Sequence, residues 1–309
     1  WAIDDEPIYC IDGCPIRDQP IYLLKRRDRL ELVQKLGIYL PEGDICPVCR
    51  KRLKTEFNYD YTKFKVKLDK ISVRSFKCFA SVDPTDPMSF DISRLIGSVT
   101  LGEKEGDPDH YELDGAFPRA NRGEIEFIEL FKNPIEALYP LIEATQSKTI
   151  ESPAGRTEKI FVDLAIISHS NEAEWVKFSS DKKNEAFLDR LCLIRVPHNI
   201  RLNDQMKILE KISITKPRAS FQYHVNPLSI KLVAAFAVMT RMHIIGEADE
   251  ALARMHIYNG LMLEGVDRTA EDLAKENPRD GWLGISNRDA AEILEMSLPM
   301  EDSDEATCI

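Results

Sequence analysis

The chain has 309 residues, 43% of them apolar and 30% charged, the balance of an ordinary globular protein with room for one large or two smaller domains. Its 52 acidic residues against 41 basic ones give a net charge of −11, which argues against non-specific nucleic-acid binding, because that depends on neutralising phosphates. No apolar run is long enough to cross a bilayer and no basic segment leads into an apolar one as a secretory signal does, so a cytoplasmic setting with seven reduced cysteines is the expectation.

Residues 1–60 are rich in turns. Cys10 and Cys14 in YCIDGCPI, with Cys46 and Cys49 in DICPVCR, make two close pairs of soft ligands separated by a loop, a spacing that could hold a tetrahedral zinc ion. The alternative is reduced cysteines beside turns favoured by Pro15 and Pro47. The basic stretch LLKRRDRLELVQKL, 23–36, reads as a solvated helix face, and the helix of 28–40 should end near Gly37 with Lys35 in its last turn. KFKVKLDKISV, 63–73, alternates like a strand. Residues 81–118, rich in Asp, Gly and Pro, read as a long loop region of the kind that often carries function.

RANRGEIEFIELF, 119–131, sets Glu124, Glu126 and Glu129 among apolar residues. It is either a strand that delivers a carboxylate to a site or an amphipathic helix, since Ile125, Ile128 and Phe131 also fit helical spacing. EKIFVDLAIISHSNE, 158–172, holds a near-continuous apolar run from Leu164 to Ile167, the pattern of a fully buried strand. NEAFLDRL, 184–191, reads as a short helix and LCLIRVP, 191–197, as another strand stopped by Pro197. The alternation of strands and helices points to an α/β layer fold. After about residue 200 the pattern becomes helical at 226–245, 268–276 and 286–298, the last with Ser286 as N-cap, so domains of 1–200 and 201–309 are expected.

Five features follow in order: DISRLIGS (91–98); DGAFPRANRGEIEFIELF (114–131) with LIEATQ (141–146); the strand ending in SHSNE (168–172); Arg190; and GISNR (284–288) at a helix start. This order resembles the AAA+ ATPases with an insertion in the second helix. CPVCRKRLK, SRLIGS, RANRGEIEFIELFK, HSNEAEW, KKNEAFLDR and GISNRDAAEIL look most like the PrkA family of serine protein kinases, over roughly 1–300, densest in 91–200 and thinner in 201–283.

The resemblance implies a three-layer α/β nucleotide-binding core followed by an all-helical lid, with ATP and magnesium bound. By it Glu129 is the carboxylate that polarises the attacking water, and Asn171 the amide that orients that water. Arg190 is an arginine finger reaching a neighbouring subunit's nucleotide, and Arg288 a lid arginine reaching the γ-phosphate. The family pattern has Asp just before the catalytic Glu; here Ile128 stands there, and Glu126, on the same strand face, is the substitute for holding magnesium. Each residue also has a plainer role: a turn for Asn171, a surface ion pair with Glu185 or Asp189 for Arg190, a solvated first helical turn for Arg288.

No G-x-x-x-x-G-K-[ST] occurs. The resemblance therefore implies that the phosphate loop precedes residue 1 and the kinase-like domain follows the last residue, so that this stretch alone binds nucleotide poorly. It also implies a homo-oligomeric ring, since a finger in trans needs neighbours, acting on a protein substrate, with no membrane or nucleic-acid partner. The protein-kinase motifs H-R-D-x-x-x-x-N and D-F-G are absent. The rivals are a remodelling or protease-associated ATPase without kinase chemistry, and a regulatory scaffold with little turnover.

Overall fold

In a computed structural model the chain forms two compact units, Trp1–Cys192 and Leu193–Ile309. The structure describes residues 7–37, 42–84, 91–100, 110–133, 135–152, 159–215, 224–243, 248–262, 268–296 and 305–306.

The first unit opens with β1 (Pro7–Ile11), α1 (Arg26–Leu36), α2 (Pro47–Thr55) and β2 (Val66–Lys70). β1 and β2 pair antiparallel, with Tyr9 opposite Leu68 and Ile11 opposite Val66. The alternation read at 63–73 is a strand, but Val66 and Leu68 are exposed. α1 buries none of its residues, as a solvated helix should, and Gly37 ends it at φ 63°, where glycine carries no steric cost.

Then come β3 (Phe79–Val82), α3 (Ser93–Ile96), β4 (Ser98–Thr100), β5 (His110–Glu112) and α4 (Ala116–Ala120). The expected long loop of 81–118 thus contains a helical turn, the antiparallel pair β4–β5 and the start of α4; 85–90 and 101–109 lie outside the described residues. The remainder is β6 (Glu124–Phe127), α5 (Ile135–Ser147), β7 (Thr149–Glu151), β8 (Lys159–Phe161), β9 (Ala165–Ser168), α6 (Glu172–Ser180) and α7 (Glu185–Leu188).

The two readings of RANRGEIEFIELF resolve in favour of a strand. β6 is the middle of a parallel sheet in the order β3-β6-β9, with Ile125 opposite Ala80 and Ile166. Its alternation is physical: Ile125 and Phe127 are buried, whereas Glu124 and Glu126 are half-buried. Parallel strands joined through helices make this unit α/β. The core gathers Phe117 and Ala120 from α4, Ile125 and Phe127 from β6, and Leu138, Leu141 and Ala144 from one stripe of α5.

Two expectations fail here. The apolar run of residues 164–167 is carried by a strand of the parallel sheet, β9 paired with β6, but not a fully buried one, since Ile167 is 52% exposed; residues 162–164 separate β9 from β8, which pairs with β7. Asn121 fixes the break by accepting the Asp163 N–H at 2.9 Å. Residues 191–197 form no strand, because no described strand pairs with them; Ile194 and Val196 are exposed.

The second unit is helical: α8 (Leu202–Thr215), α9 (Pro227–Thr240), α10 (Ala248–Tyr258), α11 (Ala270–Glu276) and α12 (Asn287–Met296). Ile230, Val233, Ala234, Ala237 and Val238 form the buried stripe of α9, packed with Leu209, Met255, Leu273 and Leu294 from the other helices. Ser286 caps α12 through its Oγ, which accepts the Asp289 N–H at 3.1 Å. Residues 297–298 of the expected last helix lie outside the described residues.

Candidate functional site

In a parallel sheet ligands gather at the C-terminal ends of the strands. Here that edge is built by backbone continuity beyond β6 and β9. Ile128 N–H donates to Val82 O at 2.9 Å, His169 N–H to Phe127 O at 3.2 Å, and Leu130 N–H to His169 O at 3.1 Å. The residues leaving the two strands are therefore locked together before any side chain is considered.

Glu129 stands at this edge in a left-handed backbone, φ 49° and ψ 50°, ahead of a 3-10 turn at Leu130–Lys132. A glutamate gains nothing sterically from that conformation, which costs roughly 1–2 kcal/mol. Its Oε2 is buried without a hydrogen-bond partner, although Lys132 Nζ lies 3.5 Å away. Ser170 Oγ, just beyond β9, is likewise buried and unpartnered. Glu126, two residues before Ile128, has Oε1 3.9 Å from His169 Nε2. The edge thus gathers two carboxylates, an imidazole and a hydroxyl, two of them with unused hydrogen-bonding capacity. Ile128 offers no ligand atom.

Asn171 follows directly and caps α6, its Oδ1 accepting the Glu174 N–H at 2.9 Å. That cap leaves the side-chain NH2 as a donor. Arg190 makes no ion pair with Glu185 or Asp189. Its guanidinium donates to Ala186 O and, at 3.0 Å, to Gln146 Oε1 on α5, so its charge is held by neutral acceptors.

Arg288 belongs to the helical unit, exposed in the first turn of α12. That turn is fixed from below by Arg241, which is fully buried. Arg241 donates to Ile285 O (3.0 Å), Asn199 O (2.8 Å), Gln205 Oε1 (2.7 Å) and Asn287 Oδ1 (2.9 Å). No acidic residue pairs with it among the described residues, and burial pushes its pKa down.

The cysteines form a separate group. The Sγ atoms of Cys14, Cys46 and Cys49 and a carboxylate oxygen of Asp18 all lie within 4.8 Å of one another, and all four residues are buried. Cys10 is not among them. It lies inside β1, opposite Lys67, and the turn at Gly13 (φ 74°) carries Cys14 away from the strand. The fourth member is Asp18, which the cysteine count could not reveal, although a carboxylate four residues after Cys14 is a permissible zinc ligand. Burial, followed by the Cys14 charge, pushes the Asp18 carboxyl up to about 8. Burial also raises the Cys14 thiol, but hydrogen bonds from Cys46, Cys49 and the backbone outweigh it and bring it down to about 3. Ser170 and Gln146 lie in the segments SHSNE and LIEATQ that stand out in the sequence, but neither the burial of Ser170 Oγ nor the bond between Gln146 and Arg190 is legible there, since a lone serine or glutamine carries no spacing signal.

A sequence model of the PrkA AAA domain matches residues 1–249. The chain is 32% identical over 292 residues to the "ATP-dependent protease PrkA" of Bacillus subtilis strain 168, covering 92% of this chain and 46% of that protein. It is 33% identical over 309 residues to the "Serine/threonine kinase YeaG" of Escherichia coli K12, covering 93% of this chain and 46% of that one. The chain therefore spans about half the length of the curated relatives it matches. Among solved structures, NtrX from Brucella abortus is similar at TM-score 0.37 and 18% identity, over 72% of this chain and 51% of that one. A likeness that low carries no weight for function.

Proposed function

The chain belongs to the PrkA AAA domain family, and on that premise we propose that it supplies the hydrolytic edge and the helical unit of an ATP-binding AAA-type protein. The observation that carries this reading is Glu129. A carboxylate whose buried Oε2 accepts no hydrogen bond and has only the Lys132 ammonium, 3.5 Å away, beside it sits in a costly backbone conformation just beyond the middle strand, with Ser170 Oγ buried without a hydrogen bond beyond the neighbouring strand. Polar atoms left unmade in this way stand ready for a ligand or a water.

In this reading Glu129 takes the proton of the attacking water as the water oxygen bonds to the γ-phosphorus and the bond to the bridging oxygen breaks. Asn171 donates its NH2 to that water. Arg190, held by Gln146, offers positive charge to the nucleotide of a neighbouring subunit in a ring, and Arg288 offers it from the helical unit. Magnesium, when bound with ATP, neutralises charge on the phosphates. Glu126 would be the carboxylate that holds its water shell, which suits an ion held by one or two carboxylates plus phosphate.

The names of the relatives divide between protease and kinase. Both are compatible with ATP chemistry at this edge, and our reading of the whole protein is a protein kinase with an AAA+ motor. A second reading, a nucleotide-binding scaffold with little turnover, draws support from Ile128.

The test uses the full-length protein with γ-labelled ATP and a protein substrate, following free phosphate and protein-bound label together. In Glu129→Gln, free phosphate should fall by about 100-fold or more. Unchanged release beside clear wild-type turnover removes Glu129 from the reaction. Label on protein that survives the substitution places kinase chemistry elsewhere in the chain.

A further inference from the structure

The ligand atoms of Cys14, Asp18, Cys46 and Cys49 converge to within 4.8 Å of one another. Cys14 Sγ and Cys46 Sγ lie 3.8 Å apart. A disulfide would need about 2.05 Å, whereas two sulfurs at about 2.3 Å from one tetrahedral zinc stand about 3.8 Å apart. We propose that Cys14, Cys46, Cys49 and Asp18 bind one structural zinc ion in a Cys3Asp site, with Cys10 outside it.

Three further observations support the assignment. The group is sealed: Asp18 is 2% exposed and Cys49 fully buried. Its backbone donors point at the ligand atoms, with Asp18 N–H on Cys14 Sγ at 3.2 Å, Cys49 N–H on Cys46 Sγ at 3.4 Å and Cys46 N–H on an Asp18 oxygen at 2.8 Å. Such donors stabilise thiolates, the form that binds metal. Lastly, no lysine or arginine forms a salt bridge with Asp18 among the described residues. A buried carboxylate beside three thiols is costly without a cation, and a divalent ion supplies it.

The chemistry involves no oxidation or reduction. The cysteines bind as thiolates and Asp18 as a carboxylate: each S–H or O–H proton held in the metal-free protein leaves to solvent as the corresponding Zn–S or Zn–O bond forms. All four positions belong to the protein, so no place remains for a substrate, which distinguishes a structural from a catalytic zinc. The ion would staple the turn after β1 to the first turn of α2, two segments in which Cys14 and Cys46 stand 32 positions apart along the chain. That turn is tied in turn to the start of β6, because Asn121 Nδ2 donates to Ile16 O at 2.7 Å and Arg122 donates to Tyr9 O.

The experiment is metal analysis of the full-length protein purified without chelator from zinc-supplemented medium, followed by removal of the metal and titration with cobalt(II). One zinc per chain is expected, and the cobalt form should show thiolate-to-metal charge transfer with the visible bands of a tetrahedral site. Cys49→Ser and Asp18→Ala should lose the ion, whereas Cys10→Ser should keep it. Asp18→Cys, which offers four thiolates, should also keep it and guards against a variant that merely fails to fold. Absence of zinc together with no tetrahedral cobalt spectrum overturns the proposal. So does loss of the ion in Cys10→Ser, or a disulfide among Cys14, Cys46 and Cys49 found by counting thiols in the unfolded protein.

Discussion

Glu129 shows how a single residue can be set against the stability of its own fold. Its left-handed backbone is comfortable only for glycine, with Asn and Asp next, and its buried Oε2 forgoes a hydrogen bond. A residue selected for stability alone would be glycine. Glu129→Gly should therefore unfold at the same denaturant concentration as wild type or higher, by up to about 1 kcal/mol after glycine's entropy is counted, while losing ATP turnover. Loss of stability in that variant would mean that the Lys132 contact at 3.5 Å outweighs the backbone cost. This conflict is also why sequence could find the residue but not its state. The glutamate is legible in RANRGEIEFIELF by resemblance, whereas its φ depends on how the chain leaves β6 to meet His169.

Elements position these residues by contacts that few substitutions leave intact. Gly123 stands just before β6 and against Cys78, the residue before β3: a Cβ placed there would lie 1.9 Å from Cys78 O. That carbonyl accepts the Glu124 N–H at 3.0 Å, so it cannot move aside without breaking the bond that starts the pairing. Gly123→Ala should cost about 3 kcal/mol, read as a lowered unfolding midpoint. At the next strand end, Asn171 serves α6 through its oxygen and leaves its NH2 for the site. The two roles separate by substitution. Asn171→Asp keeps a capping oxygen and should hold stability to within a few tenths of a kcal/mol while ATP hydrolysis falls. Asn171→Ala should lose both, the cap being worth about 1 kcal/mol. Equal hydrolysis in wild type and Asn171→Asp would reduce the residue to a helix cap.

At the scale of the molecule, sequence was most informative where a pattern is local. The buried stripe of α9, the Gly37 terminus of α1 and the Ser286 cap depend on neighbours within one or two turns, and each was legible. The failures are non-local. The apolar run at 191–197 has strand composition, but a strand exists only where another pairs with it. Cys10 matched a ligand count, yet the turn at Gly13 decided which sulfurs converge, and Asp18 completed the group through proximity that no spacing rule contains.

Each unit carries a core of its own, one around Ile125 and Phe127, the other around Leu209 and Ala234. Each should melt on its own. Calorimetry of this chain should resolve two transitions, and truncating a fully buried side chain should move only one of them. Ile125→Ala and Leu209→Ala each remove several methyl or methylene groups from a site at 0% exposure, a loss of about 3 kcal/mol in the affected unit. If both variants shift a single shared transition, the units fold as one body.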